Sequence, residues 1–274
     1  MSQVACPAGS PPRSTATTIQ KVAHLPILTF HAIETGDSPI AFPPGLLLEL
    51  LRLATARGYQ TISLGELRAC LDSGAGFPAR TLLFTFDDGY RSVFDEAYPR
   101  LRDHGFSATL FLTPGRSPVG DSRQRVPALC GREMVNWDEV AALATAGWEI
   151  GAHSLSHPDL SRIPVTEAIR EMSESKRLIE HRLGRPVVAF ADPYGRRNPL
   201  ARQCLAEEFR CACGVSLALV ARNSDPFALE RIDMYYLRLR RLLPLLFSPR
   251  LAQYLFLRRM PRRLRALLTE SIRR

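Results

Sequence analysis

Several features that would place this chain in a particular class are missing from its sequence. The first 20 residues are rich in Ser, Thr and Pro and lack the apolar core of a secretory signal peptide. No uncharged run is long enough to span a bilayer. The six cysteines have no tight framework spacing, in a chain of 274 residues that is too large to need disulfide staples. We therefore expect a cytoplasmic protein with reduced cysteines.

Lysine is also scarce, since Lys21 and Lys176 are the only two, and arginine carries the positive charge. The formal net charge is +9, but residues 231–274 hold twelve arginines against Asp233 and Glu270 and contribute +10. The first 230 residues therefore carry about −1. An anionic partner would be met by the C-terminal part of the chain rather than by the nearly neutral remainder.

Strand-like and helix-like stretches alternate through most of the chain. Apolar β-type runs such as 25–30, 81–86 and 107–113 are separated by helical stretches that end at glycines. Asn136 followed by Glu139 predicts a capped helix, and residues 166–183 predict a long amphipathic helix. This alternation predicts an α/β protein built from parallel βαβ units.

Two adjacent carboxylates, Asp87 and Asp88, end the apolar run at residues 81–86. Polar groups at the C-terminal ends of strands are where α/β sheets and barrels place their chemistry. Neighbouring side chains on a strand face opposite ways, so the two carboxylates share one site only if the chain turns there, which Gly89 permits. A solvated turn after the strand is the alternative for an isolated Asp-Asp-Gly.

Two histidines four residues apart, His153 and His157, follow a second strand-like run at residues 148–152. Pro158 disfavours helical geometry at His157, so we place both imidazoles on a loop that leaves the strand. Two imidazole nitrogens and one carboxylate oxygen form an ordinary ligand set for a divalent metal with open positions for water and substrate. Together with the Asp-Asp-Gly sequence, this pair indicates a metal site.

These motifs make the sequence resemble the polysaccharide deacetylase family, the NodB-homology or carbohydrate esterase family 4 enzymes. Residues 85–90 (TFDDGY) look like the first family motif, 153–158 (HSLSHP) like the second, and 190–195 (FADPYG) are similar to the third. The resemblance covers roughly residues 26–234 and implies a distorted (β/α) barrel of about seven strands. We accordingly expect a flexible leader over residues 1–24, a barrel over 25–236 and an arginine-rich amphipathic helical tail over 237–274.

The resemblance also implies roles for residues of these motifs. Asp87 would be the general base, and Asp88, His153 and His157 would hold the metal, with Zn²⁺ expected and Co²⁺ or Ni²⁺ as alternatives. The backbone N–H of Tyr194 would bind the oxyanion of the tetrahedral intermediate. The chemistry is consistent, because a metal polarises the acetyl carbonyl, a carboxylate removes a proton from water and a backbone donor meets the developing negative charge.

The candidate for the general acid lies in a motif whose position along the chain differs from the commonest family pattern. The commonest family pattern has a Leu-x-His motif near the C-terminal end of the domain, and this chain has none there. The poly-N-acetylglucosamine deacetylase branch, in which the motif is permuted to the N-terminus, resembles this chain more closely. Residues 27–31 (ILTFH) look like that branch's motif, and 225–232 look like its closing strand. The resemblance therefore assigns His31 as the general acid.

The third motif departs from the family at two positions. The family arginine that commonly orients the base is absent here, because its position holds Ala191. The next position holds Asp192, where an apolar or aromatic residue is usual. A carboxylate there would either raise the pKa of the base or contact an amine or hydroxyl of the substrate. We assign Asp192 and Pro193 to substrate binding. Trp137, near the Pro- and Gly-rich loop at 114–132, is a third candidate, with a core position as the alternative.

The tail lies beyond the resemblance and combines arginine pairs with leucine-rich runs. That pattern is typical of a helix on an anionic membrane surface. The alternative is a helix that packs on the barrel and solvates its arginines. We expect no nucleic-acid partner, because aromatic stacking groups and a recognisable binding fold are missing. Contact with the inner face of a membrane would suit a lipid-linked sugar or a nascent glycan.

The predicted function is metal-dependent removal of the acetyl group from an N-acetylhexosamine unit, with release of acetate. The carbohydrate substrate would be a glycan or a lipid-linked precursor. One alternative is a catalytically impaired glycan-binding protein on the same fold, which the missing arginine and Asp192 favour. Another is a deacylase that acts on a non-polymeric or non-sugar amide.

Overall fold

Short buried strands and surrounding helices alternate along the chain. The computed structural model describes residues 20–115, 126 and 128–260. The strands are β1 (Lys21–Val22), β2 (His24–Leu25), β3 (Ile27–Phe30), β4 (Gln60–Thr61), β5 (Phe77–Pro78), β6 (Thr81–Phe86), β7 (Thr109–Leu112), β8 (Glu149–Ala152), β9 (Ala189–Ala191), β10 (Cys211–Cys213), β11 (Val220–Ala221) and β12 (Ile232–Asp233). The α-helices are α1 (Pro44–Ala56), α2 (Leu64–Ser73), α3 (Tyr98–Asp103), α4 (Trp137–Thr145), α5 (Val165–Leu183) and α6 (Arg202–Glu208), and residues 251–260 are also helical.

The central sheet consists of seven parallel strands in the order β10, β9, β8, β7, β6, β3 and β12, curled into a half-barrel. β3, β6 and β7 are buried over their whole length. Parallel strands are covered on both faces, which is why these strands have continuous apolar sequences rather than alternating ones. The predicted α/β fold of the barrel type is confirmed.

A closing segment, residues 226–233, includes β12 and lies between β3 and the edge strand β10. On one side, the N–H of Leu229 donates to the carbonyl of Ala212 and the N–H of Gly214 donates to the carbonyl of Leu229, both at 2.9 Å. On the other side, β12 pairs with β3, with Ile232 opposite Leu28. The segment therefore links the open edges of the half-barrel, in the position that the resemblance implied for 225–232.

The helices begin and end at the signals that the sequence contains. The side chain of Asn136 accepts the N–H of Glu139, and the Glu139 carboxylate accepts the N–H of Asn136, both at 2.8 Å. Such a cap contributes about 1 kcal/mol to helix stability. α5 ends at Gly184, whose φ of 61° lies in the left-handed region. These local patterns therefore fix where α4 starts and where α5 stops.

A run of aromatic rings packs between the sheet and the helices. Phe30 stacks on Phe86 with 5.2 Å between ring centroids, and Phe86 stacks on Trp148 at 5.4 Å. Each such pair contributes about 0.5–1.5 kcal/mol beyond the burial of its area. Because Phe86 directly precedes Asp87, this packing fixes the end of β6 from which the carboxylates emerge.

The start of the chain is paired earlier than the predicted boundary at residue 25. Lys21–Val22 pairs with β5, and His24–Leu25 pairs with β11. Residues 20–24 of the predicted leader are thus part of the folded structure. Residues 1–19 lie outside the described residues.

The tail packs on the barrel over its described part. Arg240–Phe247 forms a 3₁₀ helix with Pro244, which lacks a backbone N–H, inside it, and residues 251–260 are also helical. None of the helices in the described part of the chain is long and apolar enough to cross a membrane. The rest of the predicted tail, residues 261–274, lies outside the described residues. The leucines that anchor the tail in the core are Leu237, Leu243, Leu246, Leu251 and Leu255.

Candidate metal centre and active site

The turn after β6 brings both adjacent carboxylates into one cavity. Asp88 has a φ of 76° and Gly89 a φ of 93°, so the chain reverses its direction at this point. A Cβ on Gly89 would lie 2.5 Å from the side chain of Leu112, which leaves room only for glycine. A left-handed φ in a residue such as Asp88 costs about 1–3 kcal/mol and persists where the surroundings impose it. The turn that the sequence predicted is therefore built into the packing.

Three ligand atoms converge beside this turn. Asp88 Oδ1 lies 3.4 Å from His153 Nε2 and 3.2 Å from His157 Nε2, and the three atoms lie within 4.8 Å of one another. Asp88 Oδ1 is buried and has no hydrogen-bond partner in the described part of the chain. His153 Nδ1 lies 2.8 Å from the Ala191 carbonyl, which favours a proton on Nδ1 and leaves Nε2 available as a ligand.

This donor set fits a divalent metal. One carboxylate oxygen and two imidazole nitrogens suit Zn²⁺, Co²⁺ or Ni²⁺ and leave coordination positions open. Burial would raise the pKa of Asp88, but the two imidazoles beside it hold that pKa below its usual value. The carboxylate is therefore ionised, as a metal ligand must be.

Asp87 is held by an arginine from the closing segment. Arg231 is 2% exposed, and its Nη1 and Nη2 donate to Asp87 Oδ1 and Oδ2 at 2.7 and 2.8 Å. Its Nε donates to the Gly214 carbonyl at 3.0 Å. Burial would raise the pKa of Asp87, but the charge and the hydrogen bonds of Arg231 outweigh burial and lower the pKa. Asp87 is therefore a fixed, ionised carboxylate directly beside the ligand cluster.

The cavity above these residues has a volume of about 170 Å³. His31, at the end of β3, lines it together with the ligand cluster and Asp87. The lining also includes the apolar side chains of Leu129 and Val215. A polar floor with a partly apolar wall is the common form of a small-molecule site.

Tyr194 lines the mouth of the cavity. Its φ is 56°, and its ring meets that of His157 edge to face with 4.8 Å between centroids. The side chain is 61% exposed. A Cβ on Gly195 would lie 2.1 Å from the side chain of Val215, so the turn after Pro193 has no space for a larger residue. The turn thus holds the backbone of Tyr194 at the edge of the cavity.

Residues 74–208 match the family model described as polysaccharide deacetylase. The chain contains a polysaccharide deacetylase domain. Over 215 residues it is 26% identical to YxkH of Bacillus subtilis, itself assigned to the polysaccharide deacetylases, covering 78% of this chain and 72% of that protein. A shorter match, 25% identity over 131 residues, joins 44% of this chain to 43% of the poly-β-1,6-N-acetyl-D-glucosamine N-deacetylase of Staphylococcus aureus.

The fold of the deacetylase domain is also found in a solved structure. The Streptococcus pyogenes deacetylase PplD, in complex with acetate, superimposes with a TM-score of 0.69 at 22% identity. The match covers 78% of this chain and 93% of that protein. It supports the barrel architecture.

Asp192 of the deacetylase domain is paired with an arginine that we did not predict. Arg197 binds both carboxylate oxygens of Asp192, with Nε 2.9 Å from Oδ1, and its Nη1 donates to the Phe227 carbonyl at 2.6 Å. Burial raises the pKa of Asp192, although Arg197 opposes this effect. Asp192 lines the cavity, so contact with a substrate stays a prediction.

Two of the predicted substrate contacts do not line the cavity. Trp137 is the first residue of α4 and is 3% exposed within the core, so the prediction that it contacts substrate is wrong and the core alternative holds. Pro193 is buried in the 3₁₀ turn that supports Tyr194. Its position shapes the turn but offers no surface to a ligand in the cavity.

Arg231 is the main residue of the site that the sequence did not reveal. The missing arginine at Ala191 indicated that a substitute was needed, and Arg231 lay within the stretch that resembled a closing strand. It is 144 residues from Asp87 along the chain. An arginine within the stretch that resembled a closing strand was the available signal in the sequence.

Proposed function

We propose that this protein hydrolyses the acetamido group of an N-acetylhexosamine unit and releases acetate. The observation that carries the proposal is that one carboxylate oxygen and two imidazole nitrogens lie together beside a cavity that the Asp87 carboxylate and His31 also line. The match to the Staphylococcus aureus enzyme supports an N-acetylglucosamine glycan as the substrate class. Zn²⁺ is the proposed metal, with Asp88, His153 and His157 as its ligands.

In the proposed reaction, each residue of the site would have a separate role. When bound, the metal would polarise the amide carbonyl and lower the pKa of the attacking water. Asp87 accepts a proton from that water at a carboxylate oxygen, since Arg231 keeps this carboxylate ionised and oriented. The Tyr194 N–H donates to the oxyanion, and His31 donates a proton to the departing amine.

Acetate release is the direct test of this proposal. The purified full-length protein is depleted of metal with a chelator and reloaded with Zn²⁺, Co²⁺ or Ni²⁺, and acetate is measured with N-acetylated oligosaccharides, β-1,6-linked oligomers included. We expect turnover only after reloading, and a roughly 10²- to 10⁴-fold loss in Asp87→Asn, the usual size of a general-base effect. Asp72→Asn, on the exposed side of α2, is the matched control and keeps full turnover.

Ligand binding without turnover would favour the glycan-binding alternative. In that case, oligosaccharide affinity would be the same in wild type and Asp87→Asn, and no acetate would appear with any metal. Arg231 removes one reason for this alternative, because it holds Asp87 where the sequence offered no arginine. Turnover of simple N-acetyl amides but not of sugars would favour the non-sugar deacylase.

We further propose that the tail contacts an anionic membrane at its inner face. The outward face of helix 251–260 exposes Phe256, Leu257 and Met260, which are 53%, 67% and 46% exposed. The sequence has no acidic residue between 234 and 269. Apolar side chains flanked by arginines bind anionic interfaces by burial and headgroup attraction.

Vesicle sedimentation tests the membrane contact. We expect the protein to sediment with phosphatidylglycerol-containing vesicles and to remain free with phosphatidylcholine alone. Phe256→Ser with Leu257→Ser should lower binding, whereas Leu200→Ser, at another exposed leucine, should not. Equal binding in all three proteins, or none in wild type, would leave packing on the barrel as the function of the tail.

A further inference from the structure

The two histidines of the metal centre are held in different ways. His153 Nδ1 lies 2.8 Å from the carbonyl of Ala191, which fixes its ring. His157 Nδ1 is buried and has no hydrogen-bond partner within residues 20–115, 126 and 128–260. The ring of His157 is thus not oriented through its second nitrogen. Apart from packing against the rings of His153 and Tyr194, its position depends on the backbone that carries it.

That backbone is a short loop with an unusual conformation. Ser154 and His157 have φ values of 63° and 60°, in the left-handed region that residues with a Cβ rarely adopt. The N–H of His157 donates to Ser154 Oγ at 3.0 Å, and the N–H of Gly115 donates to the Leu155 carbonyl at 2.8 Å. Such a loop keeps its shape only where several contacts impose it.

A further contact of this loop comes from helix α5, through Glu171. Its Oε2 accepts the N–H of Ser156 at 2.8 Å, and its Oε1 accepts the Ser156 hydroxyl at 2.7 Å. Both bonds end on the residue directly before His157. Glu171 is therefore the side chain that ties this loop to α5.

Glu171 lies at a position of α5 where the amphipathic pattern predicts an apolar residue. It is 1% exposed and shares the inner face of α5 with Ala168, Met172 and Ile179. Within the described part of the chain, no arginine or lysine lies within ion-pair distance of it, and Arg170, which attracts it electrostatically, pairs with Glu167 and Glu174. A buried carboxylate without a direct ion pair lowers stability. The two hydrogen bonds to Ser156 are thus the contacts that account for a glutamate at this position.

We propose that Glu171 is a positioning residue for the metal centre, which sets His157 by clamping Ser156 to α5. It contacts neither metal nor substrate, and it acts through the loop backbone. The inference rests on the proposed function, because it assumes that His157 is a metal ligand. It predicts that metal affinity and stability respond in opposite directions when the carboxylate is removed.

The test uses two substitutions of Glu171 and one control in the full-length protein. Glu171→Met keeps length and removes both acceptors, Glu171→Gln keeps one acceptor oxygen, and Glu174→Gln changes an exposed glutamate on the same helix. Zn²⁺ and Co²⁺ affinities are measured by competition with a chromogenic chelator. The visible spectrum of the Co²⁺ form reports ligand geometry, and thermal unfolding is followed in the metal-free state, since bound metal would itself raise the Tm.

We expect Glu171→Met to weaken metal binding about 10- to 100-fold, the usual effect of removing a group that orients a ligand, and to alter the Co²⁺ spectrum. Glu171→Gln should show a smaller loss, and Glu174→Gln none. The metal-free Tm of Glu171→Met should equal or exceed that of wild type, because Ser156 is exposed and water can satisfy its N–H. A residue with a merely structural role would lower the Tm and leave the spectrum unchanged.

Each other outcome has a separate meaning. If wild type binds neither ion, the proposed metal site fails. If wild type binds and Glu171→Met has the same affinity and Co²⁺ spectrum, the positioning role is wrong. If Glu171→Met does not fold, Glu171→Gln decides, because a folded Glu171→Gln with wild-type affinity and spectrum would overturn the inference.

Discussion

The cavity and the C-terminal tail treat charge in opposite ways. At the cavity, the buried Arg231 is paired with Asp87, and the partly buried Arg197 is paired with Asp192, so each of these cations faces a buried carboxylate. In the described part of the tail, three arginine side chains lie next to aromatic rings, as Arg238 does over Tyr235. Arg240, paired with Glu49, is 79% exposed.

This difference indicates what each region can contribute. A buried ion pair is costly to break, because removal of one partner leaves the other as an unpaired charge in a low-dielectric site. An exposed arginine is solvated whether or not it has a partner, so it contributes little to the fold. The paired arginines at the cavity therefore set the chemistry of a site, whereas the exposed arginines of the tail contribute little to the fold.

Arg231→Met should have the largest effect on stability. It leaves Asp87 buried without its cation, and breaking a buried pair in this way costs about 3–5 kcal/mol. The pKa of Asp87 should rise as the charge of Arg231 is lost, so deacetylation should fall together with stability. Denaturant unfolding and acetate release measure the two effects.

The control for this prediction is a double-mutant cycle. Asp87→Asn combined with Arg231→Met has no unpaired charge at this position and should be more stable than Arg231→Met alone. Additive losses in the cycle would contradict the view that the two side chains act as a pair.

His31→Ala should impair turnover with little change in stability. A general acid contributes roughly 10²- to 10⁴-fold to a rate when the leaving group needs a proton, as an amine does. An aryl acetate has a much better leaving group and needs little protonation. We therefore expect a large loss with N-acetyl sugars and a small one with an aryl acetate. Equal losses with both substrates would assign His31 to another role.

The sequence allowed those parts of the site to be predicted that lie next to one another or at the ends of strands. Asp87 and Asp88 directly follow β6, and His153 and His157 follow β8, so motif and strand end coincide. Because β6, β7 and β8 are neighbouring parallel strands, their C-terminal ends meet at one edge of the sheet. The ligand cluster follows from those facts.

The contacts that support the site could not be predicted in the same way. Arg231 reaches Asp87 only because the closing segment links the edges of the half-barrel, across 144 residues of chain. Glu171 lies in the apolar stripe of α5, where the helical pattern alone gives no reason for a carboxylate. Trp137 is a similar case, since its place at the start of α4 did not reveal which side of the helix would be buried.

Glu149 offers a test of a partly buried carboxyl group outside the cavity. It accepts the N–H of Leu64 at 2.9 Å and the Thr109 hydroxyl at 3.2 Å, and burial raises its pKa despite these bonds. The folded protein then holds a proton that the unfolded chain has lost, so stability should fall as pH rises from about 4.3, the unfolded pKa, through the raised folded value. Glu149→Gln should remove this fall and be at least as stable as wild type at pH 7. Denaturant unfolding of wild type and Glu149→Gln between pH 4 and 8 measures how the free energy of unfolding depends on pH. Glu174→Gln is the control at a more exposed glutamate.

Loss of a tail arginine should have the smallest effect on the fold. Arg240→Ser removes the ion pair between Arg240 Nε and Glu49 Oε2, which are 2.7 Å apart. An exposed ion pair of this kind contributes about 0–1 kcal/mol to the free energy of unfolding. Leu255→Ala, in the buried face of helix 251–260, should instead lower the free energy of unfolding by about 2–5 kcal/mol.

Near an anionic membrane, however, each arginine contributes about 1 kcal/mol to binding. Several substitutions of tail arginines should therefore weaken vesicle binding more than they lower the stability of the fold. If Arg240→Ser destabilised the protein as much as Leu255→Ala, the tail arginines would belong with the paired charges of the cavity, and the contrast between the two regions would be lost.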